Sequence, residues 1–478
     1  MGERGAGVAE QDELAARLKP FGQGHLLRFW DELDPYERAA LAEQIDQIDL
    51  KLTERLISAW IKATPAPETF DRIDPMKVIP LPTPASPDAN AAWQIGEEAL
   101  RAGRVAIVLV AGGQGTRLGY DGPKGTFPIG PASGRTLFEY HADRIHHAQA
   151  RYGCTLPWYI MVGESNETAT RAYFETNEFL GLDPSNVHFF KQSMMPTVGE
   201  DGRILLESKS RVAMNPNGHG GCIPALVENG IIDDARRRGI DLFSYFQVDN
   251  WAVKLADPYF IGYHLQGDGE MSSKVKRKAT PREASGVFCV CDGKVRVIEY
   301  TELDIYPALL DTNADGSLTH FAANAGIHIL DIEFIERVYR NYERFPWHCS
   351  HKKVAHVRES GDLVKPDEPN AYKFETFVFD ALNYADGHPI AMEIDVKTEY
   401  ALSKQMEGPG GVTEARQLMH DYWSEWLRAA GCLRDLSGID VEISPRYAAS
   451  LEEFVEKAAD LNWPASGPIA IGPHGEFL

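Results

Sequence analysis

The sequence predicts an α/β protein with a Rossmann-like, doubly wound mixed sheet, preceded by an N-terminal helical segment and followed by a small C-terminal domain. Six consecutive apolar residues, Val105–Val110, have the pattern of a strand buried on both faces, which is typical of central strands in parallel sheets. Strand-like and helix-like segments alternate from residue 105 to about residue 390. A chain of 478 residues is long enough for two or three domains.

Residues 1–100 are predicted to hold helices and then a connector. Apolar side chains recur at helical spacing between Leu14 and Leu52. The string Asp34–Glu37 offers an N-cap, a proline at the first helical position and an acidic residue at the third. Seven prolines between residues 64 and 90 argue against long regular structure there. A helix over 93–102 then leads into the apolar strand.

The predicted catalytic domain covers residues 101–392, and the small C-terminal domain covers 393–478. Periodicity predicts helices over 136–152, 167–179 and 415–429, strands over 158–162 and 187–192, and short strand and turn over 433–443. Ligands of open α/β sheets lie beyond the carboxyl ends of the strands. The polar residues that follow each strand are therefore the candidates for function.

Composition excludes several classes of protein. The net charge of −22 excludes a broad basic face for nucleic acid. No apolar stretch approaches the roughly 20 residues of a membrane span, and the acidic N-terminal region does not have the pattern of a signal peptide. Six cysteines without a C-x-x-C pair indicate neither a disulfide framework nor a structural zinc site. We expect a protein of the reducing cytoplasm, either a monomer or a weak homo-oligomer.

A glycine-rich turn follows the apolar strand. Gly112, Gly113 and Gly115 let backbone N–H groups approach a ligand closely, which suits phosphates. Arg117 and Lys124 add positive charge to the same loop. A need for tight packing in the turn would explain the glycines. It would explain neither Arg117 nor Lys124.

Two other glycine-loop patterns fit poorly. The dinucleotide pattern G-x-G-x-x-G fails because Leu118 stands at its third glycine, so a nicotinamide-dependent oxidoreductase is disfavoured. The P-loop pattern G-x-x-x-x-G-K-[ST] is absent from the loop.

A second motif is the apolar strand Phe243–Val248, which ends in Asp249-Asn250. A carboxylate at a strand end, near a phosphate loop, is suited to holding a hard cation such as Mg²⁺. An aspartate that merely caps the next turn is the alternative.

Several motifs together resemble one family. The string Leu109–Gly119 with Pro123-Lys124, the segment Val248–Asn250 and the loop Asn215–Gly221 are similar to the eukaryotic-type UDP-sugar pyrophosphorylases, and most similar to the N-acetylglucosamine branch. The resemblance covers roughly residues 20 to 430. It implies the nucleotide-diphospho-sugar transferase fold, UTP and a sugar 1-phosphate as substrates, and Mg²⁺ as cofactor.

The resemblance also implies residue roles. These are Arg117, Lys124 and Lys373 as catalytic residues on the phosphates; Ala111, Gly112, Gly113, Gln192 and Gly218 on the nucleotide; His219, Gly286, Glu299 and Asn324 on the sugar; and Asp249 on the metal. Taken without the resemblance, Gln192 and Glu299 could be surface residues, His219 could brace its loop, and Lys373 could be a solvated lysine.

The implied activity is uridylyl transfer, which forms a UDP-sugar and pyrophosphate from UTP and a sugar 1-phosphate. N-acetylglucosamine 1-phosphate is the first choice of sugar. Glucose 1-phosphate is the alternative, because His219 stands where the N-acetylglucosamine enzymes usually have asparagine. A non-catalytic sugar-nucleotide sensor is a further alternative, disfavoured by the presence of Arg117, Lys124, Asp249 and Lys373. The family usually has a Thr/Ser-rich nucleotide contact after the strand 158–162; Glu164, which lies there, receives no role.

Overall fold

A computed structural model describes residues 2–63, 66–387 and 389–478, so Pro65 of the predicted connector lies outside the described residues. The chain divides into two compact units. Unit 1 comprises 1–69, 192–222 and 341–380, and unit 2 comprises 70–191, 223–340 and 381–478. The domain boundaries near residues 100 and 392 stay predictions.

Unit 1 contains the predicted N-terminal helices, Gly2–Leu18, Pro35–Gln47 and Leu50–Trp60. Asp34 and Glu37 form the expected capping box at the start of the second helix. Apolar side chains of these helices share a core with Val198 and Phe374. The strands of this unit are Met194–Pro196 with Met214–Pro216, Leu206–Ser208 with Arg211–Val212, His356–Val357 with Leu363–Val364, and a three-stranded sheet of Val198–Gly199, Ala371–Glu375 and His348–Lys352.

Unit 2 is built on a ten-stranded mixed sheet. Its central path runs through Ile73–Pro75, Val287–Cys291, Ala322–Asp331, Leu242–Gln247, Val105–Val110, Trp158–Val162 and Val187–Lys191; Met271–Arg277, Lys294–Ile298 and Ile390–Glu393 pair off this path. The last four strands of the path are parallel, which explains why Val105–Val110 is apolar on both faces.

Helices and C-terminal residues cover this sheet within unit 2. The helices are Pro87–Arg101, Leu137–Tyr152, Glu167–Thr176, Ile231–Arg237, Pro258–Gln266, Ile332–Arg340, Val396–Glu399, Val412–Ala429 and Leu451–Lys457; Cys222–Glu228 begins at the last residue of unit 1. Met419, Trp423 and Ile443 belong to the same apolar core as Val105. None of the described helices is both long and apolar enough for a membrane crossing.

One element prediction needs correction. The helix expected over 167–179 ends at Thr176, because Glu178, Phe179 and Leu180 have φ of 49°, 52° and 57°. Phe179 still packs on Phe174 of that helix, with ring centroids 6.4 Å apart. An apolar residue at this spacing is also what a further helical turn would show, although the backbone of Phe179 is left-handed. The short strand and turn predicted over 433–443 are present: a turn precedes the strand Val441–Ile443, which pairs in parallel with Ile469–Ile471.

Candidate active site

The glycine loop is held by its own backbone in unit 2. The N–H of Lys124 donates to the carbonyl of Gly113 at 3.1 Å, and the N–H of Gly115 donates to that of Gly122 at 2.9 Å. A Cβ at Gly113 would meet no atom within 4 Å. The loop is therefore closed on itself and presents an open face, as a phosphate-binding backbone requires.

A buried asparagine that received no role from the sequence fixes this loop. The side-chain amide of Asn166 donates to the carbonyls of Ala111 at 2.8 Å and Gly113 at 3.1 Å. Its Oδ1 accepts the N–H of Gly163 at 2.9 Å. A Cβ on Gly163 would lie 2.8 Å from the Gly112 carbonyl, so only glycine fits there without displacement.

The two cations of the loop have different surroundings. Arg117 is exposed in the short turn Thr116–Leu118 and makes no ion pair with any described residue. Lys124 is mostly buried, and its Nζ lies 3.1 Å from Oδ2 of Asp249. The structure thus brings the loop lysine and the candidate metal-binding carboxylate into direct contact.

Asp249 follows the strand Leu242–Gln247, the parallel neighbour of Val105–Val110. Both strands therefore deliver their polar continuations to the same edge of the sheet. The Asp249 carbonyl accepts the N–H of Ser403 at 2.9 Å, and the hydroxyl of Ser403 lies 3.2 Å from the same oxygen. The backbone on either side of the carboxylate is thereby fixed.

The carboxylate of Asp249 is held in its ionised form. Burial acts to raise its pKa, but the positive charges of Lys124 and Lys404 outweigh burial, so the pKa lies below its ordinary value. His141 donates through Nε2 to the carbonyl of Val248 at 3.1 Å. Burial lowers the pKa of His141 to about 3, so this ring is a neutral brace.

The three predicted sugar-binding residues of unit 2 are close together. The backbone N–H of Asn324 donates to the Gly286 carbonyl at 2.9 Å. A Cβ on Gly286 would lie 2.8 Å from a carboxylate oxygen of Glu299. The side chain of Asn324 also accepts the N–H of Gly326 at 2.8 Å. Their proximity fits a shared role, and the role itself stays a prediction.

Gln192 and Gly218 are neighbours in unit 1. The buried Gln192 amide donates to Oδ1 of Asn217 at 3.0 Å and to the carbonyl of Gly218. Gly218 has a φ of +83°, and a Cβ there would lie 2.3 Å from the carbonyl of Thr376. The amide nitrogen of Gln192 is therefore engaged by the loop Asn215–Gly221, which leaves Oε1 as the atom that can accept a hydrogen bond from a ligand.

His219 is held in an aromatic stack in unit 1. Its ring lies parallel to Phe377, with centroids 5.1 Å apart, and His348 stacks on the same phenylalanine at 4.1 Å. Nδ1 of His219 accepts the N–H of Val378 at 3.1 Å. The brace considered from the sequence is thus present, and the sugar contact of His219 stays a prediction.

Lys373 lies on the strand Ala371–Glu375, opposite Ser350 of the antiparallel neighbour. It is half-buried and makes no ion pair with a described residue. Its charge is therefore available to a ligand, as the predicted catalytic role requires.

Comparison with known proteins decides the family. The family model described as UTP–glucose-1-phosphate uridylyltransferase matches residues 67–393. A human protein named UDP-N-acetylhexosamine pyrophosphorylase-like protein 1 is 36% identical over 90% of this chain and 88% of its own. The UDP-N-acetylglucosamine pyrophosphorylase of Saccharomyces cerevisiae is 32% identical over 92% of this chain and 96% of its own. The chain belongs to the UTP–glucose-1-phosphate uridylyltransferase family.

A solved member supports the fold. The UDP-N-acetylglucosamine pyrophosphorylase of Trypanosoma brucei superposes with a TM-score of 0.81 at 23% identity, covering 98% of this chain and 99% of its own. The predicted α/β fold with a large mixed sheet and a helical N-terminus is confirmed, and so is the predicted resemblance to the UDP-sugar pyrophosphorylases.

Three residues near the candidate site of this uridylyltransferase family member were not predicted from the sequence: Asn166, Ser403 and Lys404. Asn166 lies in the segment Gly163–Asn166, where the family's Thr/Ser-rich contact was expected. The available signal was its position: a polar residue after a central strand. Lys404 and Ser403 carried no such signal, because they lie more than a hundred residues from Asp249 in the chain.

Proposed function

We propose that this protein transfers the uridylyl group of UTP to N-acetylglucosamine 1-phosphate, which forms UDP-N-acetylglucosamine and pyrophosphate. The 3.1 Å approach of Lys124 Nζ to Asp249 Oδ2 carries this proposal. It unites the cation of a phosphate loop with a buried, ionised carboxylate in a chain of the uridylyltransferase family.

The reaction is a displacement at phosphorus. A phosphate oxygen of the sugar 1-phosphate forms a bond to the α-phosphorus of UTP. The bond from that phosphorus to the bridging oxygen breaks, and pyrophosphate leaves with the electron pair. No covalent enzyme intermediate is needed, so the protein acts by positioning and by stabilising charge. Backbone N–H groups of Gly112 and Gly113, with Arg117 and Lys124, would hold the triphosphate.

The residues present fit Mg²⁺. The described residues contain no group of three or more histidine, cysteine or carboxylate side chains that could enclose a metal. Mg²⁺ is commonly held by one or two carboxylates together with substrate phosphates and water, and buried Asp249 is such a carboxylate. When bound, Mg²⁺ would neutralise charge on the phosphate oxygens. Lys124 would have to exchange its present contact with Asp249 for a contact with phosphate.

The choice of sugar rests on the names of relatives across most of the chain, in yeast and in Arabidopsis thaliana. Glucose 1-phosphate is the competing substrate, because His219 stands where the N-acetylglucosamine enzymes usually have asparagine. Gly286, Glu299 and Asn324 are proposed to bind the sugar hydroxyls, since carboxylate and amide groups offer directed acceptors and donors.

The functional roles of Gln192, Gly218 and Lys373 are also part of the proposal and rest on the resemblance. Gln192 would accept the N3–H of uracil through Oε1. Lys373 would stabilise phosphate charge, which its lack of a carboxylate partner among the described residues permits. The six cysteines are free thiols, in keeping with the reducing cytoplasm that we propose as its compartment.

The test is a substrate panel. Purified protein is incubated with UTP, Mg²⁺ and each of N-acetylglucosamine, glucose and galactose 1-phosphate, and pyrophosphate release is measured. We expect the highest kcat/KM with N-acetylglucosamine 1-phosphate. A preference for glucose 1-phosphate would overturn the assignment of the sugar, while the proposed uridylyl transfer would still hold. UTP binding without release from any of the three would overturn the reaction and favour the sensor.

A further inference from the structure

A cavity lies within unit 2, apart from the candidate active site. It has a volume of about 500 Å³, which is in the range of small-molecule sites. Its walls come from the helices Pro87–Arg101, Leu137–Tyr152 and Val412–Ala429, the segment 251–259 and the C-terminal residues 445–452. Neither the glycine loop nor Asp249 lines it.

The wall contains a guanidinium without a carboxylate. Arg144 donates through one nitrogen to the carbonyl of Tyr140 at 3.2 Å and makes no ion pair with a described residue. It lies over the ring of Trp251, 5.7 Å from the centroid. Burial lowers the pKa of Arg144 to about 10, which outweighs the opposing effect of the Asp143 and Glu399 charges and reflects the cost of withdrawing the guanidinium from water.

A second polar group on the same wall lacks a partner. Trp251 is 2% exposed, and its indole Nε1 has no hydrogen-bond acceptor in the part of the chain that the structure describes. Buried donors are normally satisfied. Trp251 and Arg144 pack on each other, so one acceptor with several oxygens could serve both.

The two buried carboxylates of the wall have a cationic partner. Asp257 and Glu399, the buried carboxylates of the wall, both pair with the buried Lys274. Arg151 lies over Trp93 and makes no ion pair with a described residue. Glu393, Asp395 and Glu452 also lie in the wall, so the wall as a whole is not cationic, and Arg144 and Arg151 are its arginines without a carboxylate partner among the described residues.

Aromatic rings form another part of the wall. Trp93 meets Tyr259 at 4.8 Å between centroids, and Tyr422 meets Trp426 at 4.9 Å. Flat rings around a cationic end suit a ligand with a planar apolar body and an anionic group. We propose that this cavity binds a small organic oxyanion with a flat apolar body, whose carboxylate, phosphate or sulfonate oxygens accept from Arg144 and Trp251.

The cavity adjoins the segment that carries Asp249. Trp251 follows Asp249 by two residues. The Asn250 side chain between them accepts the N–H of Ala401 at 3.0 Å and donates to the carbonyl of Glu399 at 3.0 Å. Occupancy of the cavity should therefore alter the binding of UTP. This second step rests on the proposed function, whereas the binding site does not.

The probe is 8-anilino-1-naphthalenesulfonate, an aromatic sulfonate whose fluorescence rises in apolar sites. We compare the wild type with Arg144→Met, Arg144→Lys and the matched control Arg38→Met, which removes an arginine from the ring of Trp30 in unit 1. We expect saturable binding that weakens at least about tenfold in Arg144→Met and less in Arg144→Lys, with Arg38→Met unchanged. Equal affinity in all four proteins, at equal Tm, would overturn the site.

The coupling is tested with the same probe. At saturation it should change the KM for UTP in the wild type and in Arg38→Met, and not in Arg144→Met. An equal effect in Arg144→Met would assign the change to the UTP site and overturn the coupling. Because fluorescence needs no turnover, failure of the proposed reaction would leave the binding result standing.

Discussion

Lys124 Nζ lies 3.1 Å from Oδ2 of Asp249, although 125 positions separate the two residues in the chain. Neither group is in free solvent, since their side chains are 16% and 7% exposed. Two neighbouring parallel strands create this contact, because each turns into a polar segment at the same sheet edge. In the proposed reaction, the pair would supply one positive and one negative group for a substrate that carries phosphates and a divalent cation.

Replacing Lys124 by methionine should lower kcat/KM by about 10²-fold or more, because a preorganised charge on the transferring phosphates is lost. Steady-state pyrophosphate release measures this effect. Lys191→Met is the control, since Lys191 is exposed at the end of Val187–Lys191, the last strand of the sheet path. Turnover within a factor of two of the wild type would remove Lys124 from the mechanism.

Asp249→Asn should raise the Mg²⁺ concentration that gives half-maximal activity and lower the maximum. The folded-state pKa of Asp249 lies below its ordinary value. Its charge is therefore present above about pH 4 and is lost only as the pH falls through the lowered pKa. The variant's defect should be constant from pH 6 to about pH 8, which activity at several Mg²⁺ concentrations would check. An unchanged Mg²⁺ requirement would contradict the metal assignment.

Asn166→Ala should weaken both the fold and the binding of UTP. It removes three hydrogen bonds, and it leaves the Ala111 and Gly113 carbonyls and the Gly163 N–H without the asparagine. We expect a loss of about 2–4 kcal/mol in the free energy of unfolding, measured in urea, and a several-fold rise in KM for UTP. Asn177→Ala, which removes one exposed side-chain bond, is the control and should cost under about 1 kcal/mol.

If Asn166→Ala retained the wild-type KM while losing stability, the residue would be purely structural. The stronger variant is Asn166→Asp, which keeps the size of the side chain. It places a carboxylate oxygen against two carbonyls, so it should perturb the loop at least as much as alanine does.

His219→Asn tests the choice of sugar. The substitution removes the ring that stacks on Phe377 and accepts the N–H of Val378. We expect the ratio of kcat/KM for N-acetylglucosamine 1-phosphate over glucose 1-phosphate to rise several-fold, because asparagine is usual in the N-acetylglucosamine enzymes. An equal loss on both sugars would show that His219 only braces its loop.

The sequence predicts the parts of this site that local patterns encode. The run Val105–Val110 and the glycines after it predict a buried strand and the turn that follows it, without any partner being known. The contact of Asn166 with Gly113 could not be predicted from the sequence, because nothing in a sequence distinguishes a buried asparagine from an exposed one. The helix predicted over 167–179 is too long for a related reason. The apolar Phe179 fits the helical period, but its backbone has a left-handed conformation that cannot continue the helix.

The charge cluster around Lys274 is a further feature that only tertiary contacts define. The fully buried Lys274 pairs with Asp257 at 2.7 Å and with Glu399, which lies 125 residues away in the chain. Burial acts to lower the pKa of Lys274, but the two carboxylates outweigh burial and raise it. Burial acts to raise the pKa of Asp257, but Lys274 and Lys254 lower it.

Lys274→Met should therefore lower the free energy of unfolding by about 3–5 kcal/mol at pH 7, because it leaves two buried carboxylates without their cation. Asp257 stabilises the wild type above its unfolded pKa, and this contribution is lost as the pH falls through the lower folded value. Lys274 stabilises it below its unfolded pKa, and that contribution is lost as the pH rises through the raised value. The gap to wild type should thus be widest from about pH 5 to about pH 10 and narrow in acid, where the variant's carboxylates protonate. Urea unfolding across this range, with exposed Lys294→Met as control, measures the gap; a gap independent of pH would show that lost packing, and not charge, causes it.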